Sequence, residues 1–421
     1  MLFGGLLATA AAQAQPEPLQ FGQVAKADLT AAPFVADSAA SAVVICDFGR
    51  SRLRGKRDGF EVVFERTTRI KILKKAGYGE ATVEIPLYHT GTSAERITNL
   101  RGFTHNLVNG GIEKTKLEAG GAFVEKRTAH VNVQKFTLPN VREGAVIEYS
   151  YTLTSDFLFN FQDWTFQREI PVRWSEYRVS IPVFYQYRII SQGSTPFDVN
   201  TVGAGTVNLL LDNTIPKDSG LSAGQTVGMT TISAPTEERQ WVRKNVPAFQ
   251  REPYMTAAKD YEARIDFELA GEQWPNQPYR DLVGSWDKIN ARLLNDENFG
   301  GRMGSIGFLK DQLLSLAAQY PNVAARAAAV RQVVMAAVRY DGKNRLYAPE
   351  PLRKAFDAHR GTSADVNLLL IAALREAGLP AHPLLLSTRD HGRVNKEFPL
   401  LERFNYVVAL VPLAGGTRAT T

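Results

Sequence analysis

The chain has 421 residues, of which 44% are hydrophobic and 10% aromatic, so it can build two or three globular domains and is not a disordered or fibrous protein. Its 49 Lys and Arg residues are scattered among 43 Asp and Glu residues, which argues against a nucleic-acid-binding patch. The single cysteine, Cys46, excludes an internal disulfide and a cysteine-rich zinc site.

The N-terminus has the features of a secretory signal. Residues 2–12 are apolar and small, and Ala12-Gln13-Ala14 has the small-x-small form that signal peptidase accepts. No Lys or Arg precedes Lys26, and the alternative is an apolar helix of the mature fold. No other apolar segment approaches the roughly 20 residues that cross a bilayer. We expect residues 1–14 to be a signal peptide and the protein to be exported to the periplasm or outer envelope, without a transmembrane segment.

Between about residues 40 and 233, apolar and polar residues alternate with a period of two, as in 60–65, 69–72, 147–153 and 177–181. This pattern predicts half-buried strands. Asn109-Gly110-Gly111 predicts a tight hairpin, and Asn140, Gly144 and residues 203–205 are expected to punctuate later strands. The sequence therefore predicts an antiparallel all-β module, sandwich- or barrel-like, over residues 15–234. Cys46 lies in its first apolar strand and is expected to be a small buried hydrophobe.

Residues 235–284 lose this alternation. Pro247, Pro253, Pro275 and Pro278 interrupt them, which predicts a connector, with strand character at 264–269. From Trp286 onward the period becomes 3.6, and helices are predicted over 285–295, 308–320 and 323–338. Apolar runs at 383–386 and 404–411 follow as strands. Residues 285–421 are thus expected to form an α+β domain.

A fourth predicted helix begins at Thr362. Thr362 and Asp365 have the spacing of a capping box, Gly378 is placed for the C-terminal cap, and Val366, Leu369, Leu370, Ala373 and Ala377 form a buried stripe. A helix N-terminus offers free N–H groups and positive potential, which stabilise a thiolate or an oxyanion. A nucleophile with an imidazole and a carboxylate behind it would complete an acyl-transfer site. The residue at this position is Ser363.

The motifs around this helix resemble a known family. Gly361-Thr362-Ser363-Ala364-Asp365 and the later Phe404-Asn405-Tyr406 are similar, in order and context, to the Gly-x-Cys-x-Asp and Phe-Asn-His-type segments of the transglutaminase-like fold, a relative of papain-type cysteine proteases. The β-rich part resembles the domain of unknown function that precedes such domains in envelope proteins of Bacteroidetes-type bacteria. Its best matches are 136–140, 144–149, 246–249 and 260–261.

The departures from the family pattern bear directly on function. The resemblance implies that Ser363 replaces the family's cysteine and Tyr406 its histidine, while the tail after Tyr406 carries no acid to supply the third member. We therefore expect the transglutaminase-like domain to be incomplete at its C-terminus. A tyrosine phenol is protonated at neutral pH and is no general base, so the site is expected to be degenerate. The cysteine, histidine and acid that react in the family are thus absent from the corresponding positions of this chain.

A rescue of catalysis would need His391, with Asp390 or Glu402 behind it, to approach Ser363. The simpler interpretation makes Ser363 a small residue near a helix cap and Asp365 a first-turn acid favoured by the helix dipole. Residues 340–344 and 347–349 precede the helix and are candidates to line a groove. His89, His105 and His130 lack metal-ligand spacing, and no cofactor motif is found.

Three hypotheses follow. The first is a non-catalytic, exported protein that binds a peptide or a glycan, or holds an envelope partner, through a degenerate transglutaminase-like domain. The second is a serine-dependent hydrolase or acyltransferase that uses Ser363 and His391. The third is a chain whose working part lies in a missing C-terminal portion.

Overall fold

The structure is a computed structural model and describes residues 16–30, 39–56, 59–127, 130–193, 195–211, 230–274, 277–282, 285–304, 306–348, 350–394 and 401–412. The chain divides into two compact units. The first, the β unit, comprises residues 1–251 and 261–282, and the second, the helical unit, comprises residues 252–260 and 283–421. The predicted signal peptide, residues 1–14, and the tail after residue 412 lie outside the described residues.

The β unit begins with one short helix and continues as strands. Its elements are α1 (Lys26–Thr30), β1 (Ala42–Lys56), β2 (Gly59–Ile72), β3 (Thr82–Tyr88), β4 (Arg96–Val108), β5 (Gly111–Lys116), β6 (Ala122–Lys126), β7 (Val131–Thr137), β8 (Val146–Ser155), β9 (Trp164–Thr165), β10 (Val172–Pro182), β11 (Tyr185–Gln192), β12 (Val199–Leu211), β13 (Thr230–Val246), β14 (Arg264–Glu272) and β15 (Arg280–Asp281).

These strands form one large sheet and two smaller ones. Among the described residues the large sheet has the order β12-β13-β10-β1-β2-β8-β4-β5. The smaller sheets are β3-β7-β6 and β11-β14-β15, with β9 also paired to β14. Buried residues of all three sheets belong to one hydrophobic core, so the small sheets cover one face of the large sheet. The prediction of a β-rich, sandwich-like first part of a multi-domain chain is confirmed at this level.

The large sheet is mixed, whereas the sequence pattern predicts an antiparallel one. Its β1 strand pairs parallel with β10, from Val44 opposite Val172 to Arg52 opposite Ser180, and antiparallel with β2. A parallel pair needs a long crossover, and here the chain from β2 to β9 supplies it. Alternation reports which face of a strand is buried and carries no information about its partner, so this pairing could not be read from the sequence.

The core of the β unit is rich in aromatic side chains, and the Trp164 ring packs directly on the backbone of β1 at Gly49. The rings of Trp164 and Tyr177 stack with centroids 5.0 Å apart. Beneath them lies Gly49 of β1, where an added Cβ would come within 2.3 Å of the Trp164 ring. The Tyr177 hydroxyl is bonded to Ser51 Oγ at 2.7 Å and donates to the Gln162 carbonyl. These aromatic side chains are thus core residues of the β unit.

The glycine-containing segments that the sequence predicts as turns differ in outcome. Asn109 and Gly110 have φ angles of 50° and 80° and join β4 to β5, as expected. Residues 203–205, however, lie inside β12 and make no turn. An added Cβ on Gly205 would meet Glu238 Oε1 and Thr236 Oγ1 at 2.8 Å, so the glycine makes room for the side chains of the paired strand β13.

The predicted connector over 235–284 contains strands of the β unit. It contains most of β13, all of β14 and β15, and residues 252–260 of the helical unit. Pro235 is tolerated because β10 ends at Pro182, opposite Thr236, so no N–H of residue 235 is needed on that side. The strand character expected at 264–269 is confirmed by β14.

The helical unit contains the elements α2 (Trp286–Asn295), α3 (Lys310–Gln319), α4 (Val323–Ala337), β16 (Arg339–Tyr340), α5 (Leu352–Asp357), β17 (Arg360–Gly361), α6 (Ser363–Glu376), β18 (His382–Leu386) and β19 (Tyr406–Leu410). The four predicted helices and both predicted strands are confirmed, with ends shifted by one or two residues. The structure adds α5 and the short parallel pair of β16 and β17.

Helix α6 is the centre of this unit. Leu369, Ala373 and Ala377 are buried as predicted, whereas Val366 and Leu370 are half-buried. Leu368 and Ile371, outside the predicted stripe, are buried as well, because other elements of the unit surround the helix. These elements contribute Leu313 of α3, Val330 and Val334 of α4 and Val407 of β19 to the same core. No helix of the described residues is long and apolar enough to cross a membrane.

Candidate functional site

The N-terminus of α6 is closed by a complete capping box. The backbone N–H and the hydroxyl of Thr362 each donate to Asp365 Oδ2 at 2.8 Å, and Thr362 Oγ1 accepts the Asp365 N–H. Asp365 is buried. This confirms the capping interpretation: a carboxylate at this position satisfies free donors of the first turn and is favoured by the positive end of the helix dipole. The Oδ2 oxygen of Asp365 thus accepts both of its hydrogen bonds from Thr362.

Ser363 is buried, with 1% of its surface exposed, and bonded to a loop. Its Oγ donates to the Arg345 carbonyl oxygen at 3.1 Å and accepts the Arg345 N–H at 2.8 Å. Its own N–H donates to the Lys343 carbonyl oxygen at 3.1 Å. A serine hydroxyl has one proton, and here a backbone carbonyl accepts it. The hydroxyl therefore ties residues 343–345 to the first turn of the helix.

The residues just before this loop are held by hydrogen bonds of their own. Asp341 N–H donates to the Gly361 carbonyl oxygen, and Asp341 Oδ1 accepts the Lys343 N–H at 2.8 Å. The Tyr340 hydroxyl, at the exposed end of β16, donates to Asn344 Oδ1 at 2.5 Å. Gly342 has a φ of 89° and makes the sharp turn between them. The expected groove-lining segment is thus an ordered loop held by its own side chains.

Tyr406 lies at the start of β19, opposite Leu386, and is half-buried. The next residue, Val407, is fully buried in the core that α6 occupies. Partial loss of solvent contact raises the pKa of Tyr340, and the charge that Tyr406 and Asp341 would carry raises it further. The two phenols therefore lie within electrostatic range of each other, beside the loop that Ser363 holds.

His391 lies in a turn after β18 and is half-buried. Its N–H donates to the Thr388 carbonyl oxygen. Asn405 fixes Thr388 through two bonds of 2.8 Å, and the Arg393 N–H donates to Asp260 Oδ1 at 2.8 Å. The turn is thus ordered by neighbours of its own, and the proton of Ser363 points to Arg345. Asp390 is exposed in the same turn, and the side chain of Glu402 lies outside the described part of the chain.

Two residues that hydrogen-bond to Ser363 are not among the site residues predicted from the sequence. Arg345 acts through its backbone N–H and carbonyl oxygen, so its side chain carries no signal. Asn367 donates from Nδ2 to the Ser363 carbonyl oxygen at 2.9 Å, one turn along the helix. Its spacing of four residues from Ser363 is a helical neighbour relation, which could have suggested the contact.

The β unit holds a second polar cluster. His105, which the sequence leaves unexplained, bonds through Nε2 to Glu148 Oε1 at 2.9 Å, and Arg69 donates to Glu148 Oε2 at 2.8 Å. All three side chains are buried. Within the described residues no group of three or more His, Cys, Asp or Glu side chains is arranged to hold a metal ion.

Cys46 lies in β1 of the β unit and is buried, as expected. Burial, together with the negative charges of Asp47 and Glu176, raises the pKa of its thiol well above the ordinary range. A thiol in this state is unreactive. The one thiol of the chain therefore contributes to packing of the β unit, whereas α6 belongs to the helical unit.

Comparison with known proteins gives a likeness in fold. No family model matches the sequence, and no curated protein matches it. A crystal structure from Parabacteroides distasonis named "putative protease" matches over 88% of this chain with 13% identity and a TM-score of 0.54. This chain covers 65% of that protein, which is under two thirds of its length. At this identity the likeness concerns the fold alone.

Two further solved structures match with much lower scores. Yeast LTA4 hydrolase matches over 60% of the chain and 34% of its own length, at 9% identity and a TM-score of 0.22. An M1 zinc metallopeptidase from Deinococcus radiodurans matches over 60% of this chain and 52% of its own length, at 12% identity and a TM-score of 0.20. Scores this low carry no argument about function.

Proposed function

We propose that this chain is an exported binding protein whose transglutaminase-like domain has lost catalysis. The observation that carries the proposal is the hydrogen bonding of Ser363. Its hydroxyl occupies the position where the resemblance expects a nucleophile, and its one proton goes to the Arg345 carbonyl oxygen. A nucleophilic serine needs its proton directed at a base. Here the side chain holds a loop in place.

The proposed ligand is a peptide or a glycan, or an envelope partner that presents one. Tyr340 is exposed, Tyr406 is within electrostatic range of it, and Asp341 and Asn344 belong to the same loop. Aromatic faces beside carboxylate and amide groups suit both the amides of a peptide and the hydroxyls of a sugar. The loop of residues 340–344 is therefore suited to recognition even though the hydroxyl of Ser363 is engaged.

Chemical labelling tests the loss of catalysis. We expect a fluorophosphonate probe to leave Ser363 unmodified in the folded protein, and acyl-ester and peptide substrates to be hydrolysed no faster by wild type than by Ser363→Ala. The competing hypothesis is a hydrolase in which His391 draws the proton of Ser363 away from Arg345. Stoichiometric labelling of Ser363 that is lost in His391→Ala would establish that hypothesis and overturn ours.

Ligand binding is tested separately with soluble peptidoglycan fragments, which present peptide and glycan together. We expect Tyr340→Ala to weaken binding about tenfold, as removal of one aromatic contact usually does. Tyr320→Ala is the matched control, because Tyr320 is an exposed tyrosine at the end of α3. Equal affinities of the two variants would remove Tyr340 from the ligand site. Absence of binding by wild type would reject this ligand class.

A further inference from the structure

Residues 16–30, here called the strap, lie on the large sheet of the β unit without joining it. Within the described residues the strap pairs with no strand, and Leu29 is the one residue of the strap that is buried. It contains the single turn of α1 and is otherwise irregular. The strap is thus held to the rest of the β unit by other means.

Four cationic side chains of the sheet hold the strap by its backbone carbonyl groups. They are Arg178, which donates to Pro16 O at 3.0 Å; Arg69, which donates to Gln20 O at 2.9 Å and Gln23 O at 2.7 Å; Lys114, which donates to Gly22 O at 3.0 Å; and Lys71, which donates to Leu29 O at 3.2 Å. Main-chain recognition of this kind is how proteins bind extended peptides. Charge-assisted bonds of this type are also stronger than neutral ones.

The middle of the strap docks on a buried charged site. Glu148 is fully buried and accepts the Gly22 N–H at 2.9 Å, besides its bonds to Arg69 and His105. The surface under the strap is therefore already organised by bonds within the sheet. A preorganised site of this kind loses little entropy when a peptide occupies it.

Two adjacent residues of the strap give it a recognisable sequence. The ring of Phe21 lies 5.5 Å from the ring of Phe103, and the Arg101 guanidinium lies over it at 4.6 Å. Gly22 has a φ of 84°, and a Cβ there would lie 3.2 Å from Lys114 Nζ. A Phe-Gly pair at this point fits the surface, and a bulkier second residue does not.

We propose that this face of the large sheet is a peptide-binding site, occupied in cis by the strap, and that it accepts the same segment from a second copy of this chain. Exchange of an identical segment between copies preserves every contact, so it costs little beyond association. This binding site lies in the β unit, and the proposal does not depend on the proposed function of the helical unit.

The test uses the whole chain from Gln15 with a site-specific protease sequence in place of residues 32–37. After cleavage, the freed strap is removed by gel filtration in 0.5 M NaCl, and circular dichroism checks that the protein remains folded. Binding of a fluorescein-labelled peptide of residues 16–30 is then followed by anisotropy. We expect saturable binding that weakens at least tenfold when the peptide carries Phe21→Ala. We expect uncleaved protein to bind at least about 100-fold more weakly, because its own strap competes at high effective concentration.

Paired variants of one strand make the test specific. Lys114 and Lys116 both lie in β5, and Lys114 donates to the strap while Lys116 makes no hydrogen bond to its described residues. We expect Lys114→Ala to weaken peptide binding about tenfold, the effect of one charged hydrogen bond, and Lys116→Ala to change it less than about twofold. A folded, strap-free protein that fails to bind the peptide would overturn the proposal. Unfolding on removal of the strap would overturn it as well, since the strap would then be an integral part of the fold.

Discussion

At the scale of single residues, the hydroxyl of Ser363 separates a structural role from a catalytic one. It makes two bonds to the backbone of Arg345 in a buried setting. Removal of one partner leaves buried polar groups unsatisfied, which typically costs about 1–3 kcal/mol. Ser363→Ala should therefore lower the free energy of unfolding by about this amount, measured by urea denaturation of the full chain.

The matched control is Ser315→Ala, which removes an exposed serine hydroxyl from α3. Surface changes of this kind stay within about 0.5 kcal/mol. If Ser363→Ala proves no more destabilising than Ser315→Ala, the contacts with Arg345 contribute nothing to stability, and the main argument against a nucleophilic serine is lost.

Asp47 makes stability depend on pH. Burial alone would raise the pKa of Asp47, but the Arg66 guanidinium, with bonds of 2.9 and 2.6 Å, and the Thr68 hydroxyl outweigh it and hold the pKa below its usual value. A carboxyl whose pKa is lower in the folded than in the unfolded chain stabilises the fold above the unfolded pKa. Its contribution is complete above about pH 5 and is lost as the pH falls through the folded pKa.

We therefore expect Asp47→Asn to cost about 3 kcal/mol at pH 7, because Arg66 is left without its partner, and to reduce the loss of stability between pH 5 and 3. The measurement is the free energy of urea unfolding across that range. The control is Asp156→Asn, which breaks the more exposed pair with Lys56 and should cost at most about 1 kcal/mol at pH 7. A slope for Asp47→Asn identical to that of wild type would show that Asp47 is not the titrating group.

At the scale of elements, the contact between a sheet and the aromatic layer on it decides which residues a strand can carry. Gly49 of β1 lies under Trp164, and an added Cβ would stand 2.3 Å from the ring. Gly49→Ala therefore forces the stacked Trp164 and Tyr177 rings to move. Overpacking of this kind costs about 1–3 kcal/mol, which we expect to see as a lower melting temperature.

Gly79→Ala is the control for this prediction. A Cβ at residue 79 meets no atom within 4 Å, and the residue is exposed. Alanine at a compatible glycine position leaves stability unchanged or raises it slightly. A Gly49→Ala variant as stable as Gly79→Ala would mean that the aromatic layer yields freely, contrary to its close packing.

Helix α6 shows what an element's sequence does and does not predict. The capping box of Thr362 and Asp365 and the glycine at residue 378, with a φ of 75°, mark its two ends, and both were predictable because caps are local. Its burial on nearly all sides was not predictable. The stripe of Leu369 and Ala373 is a local pattern, whereas burial of Leu368 and Ile371 depends on neighbours from distant parts of the chain.

At the scale of the whole molecule, the one thiol of the chain reports on opening of the β unit. Cys46 lies in β1, an interior strand of the large sheet, and is buried. Both inaccessibility and the raised pKa of the thiol oppose reaction. We expect a thiol reagent at pH 8 to label native protein at less than about a tenth of an equivalent and guanidinium-unfolded protein at about one.

An exposed thiol is the control for that measurement. Ser315→Cys places one on α3, and we expect one equivalent of rapid labelling in the native state. Rapid labelling of Cys46 in native wild type would show that the large sheet opens readily at its centre. That result would contradict the tight packing of β1 between β2 and β10.

The sequence by itself determined the local features of this protein. It set the alternation that makes strands of the β unit, the turn at Asn109 and Gly110, the helices after Trp286 and the caps of α6, since each depends on residues within a few positions of one another. Tertiary structure alone decided the rest. It decided the parallel pairing of β1 with β10 and the strands inside the expected connector. It also decided the bonds from Ser363 to Arg345 and those from cationic side chains of the sheet to the strap. Each of these contacts joins residues that are not neighbours in the sequence. No local pattern encodes such partners, because they arise when separate elements pack around a common core.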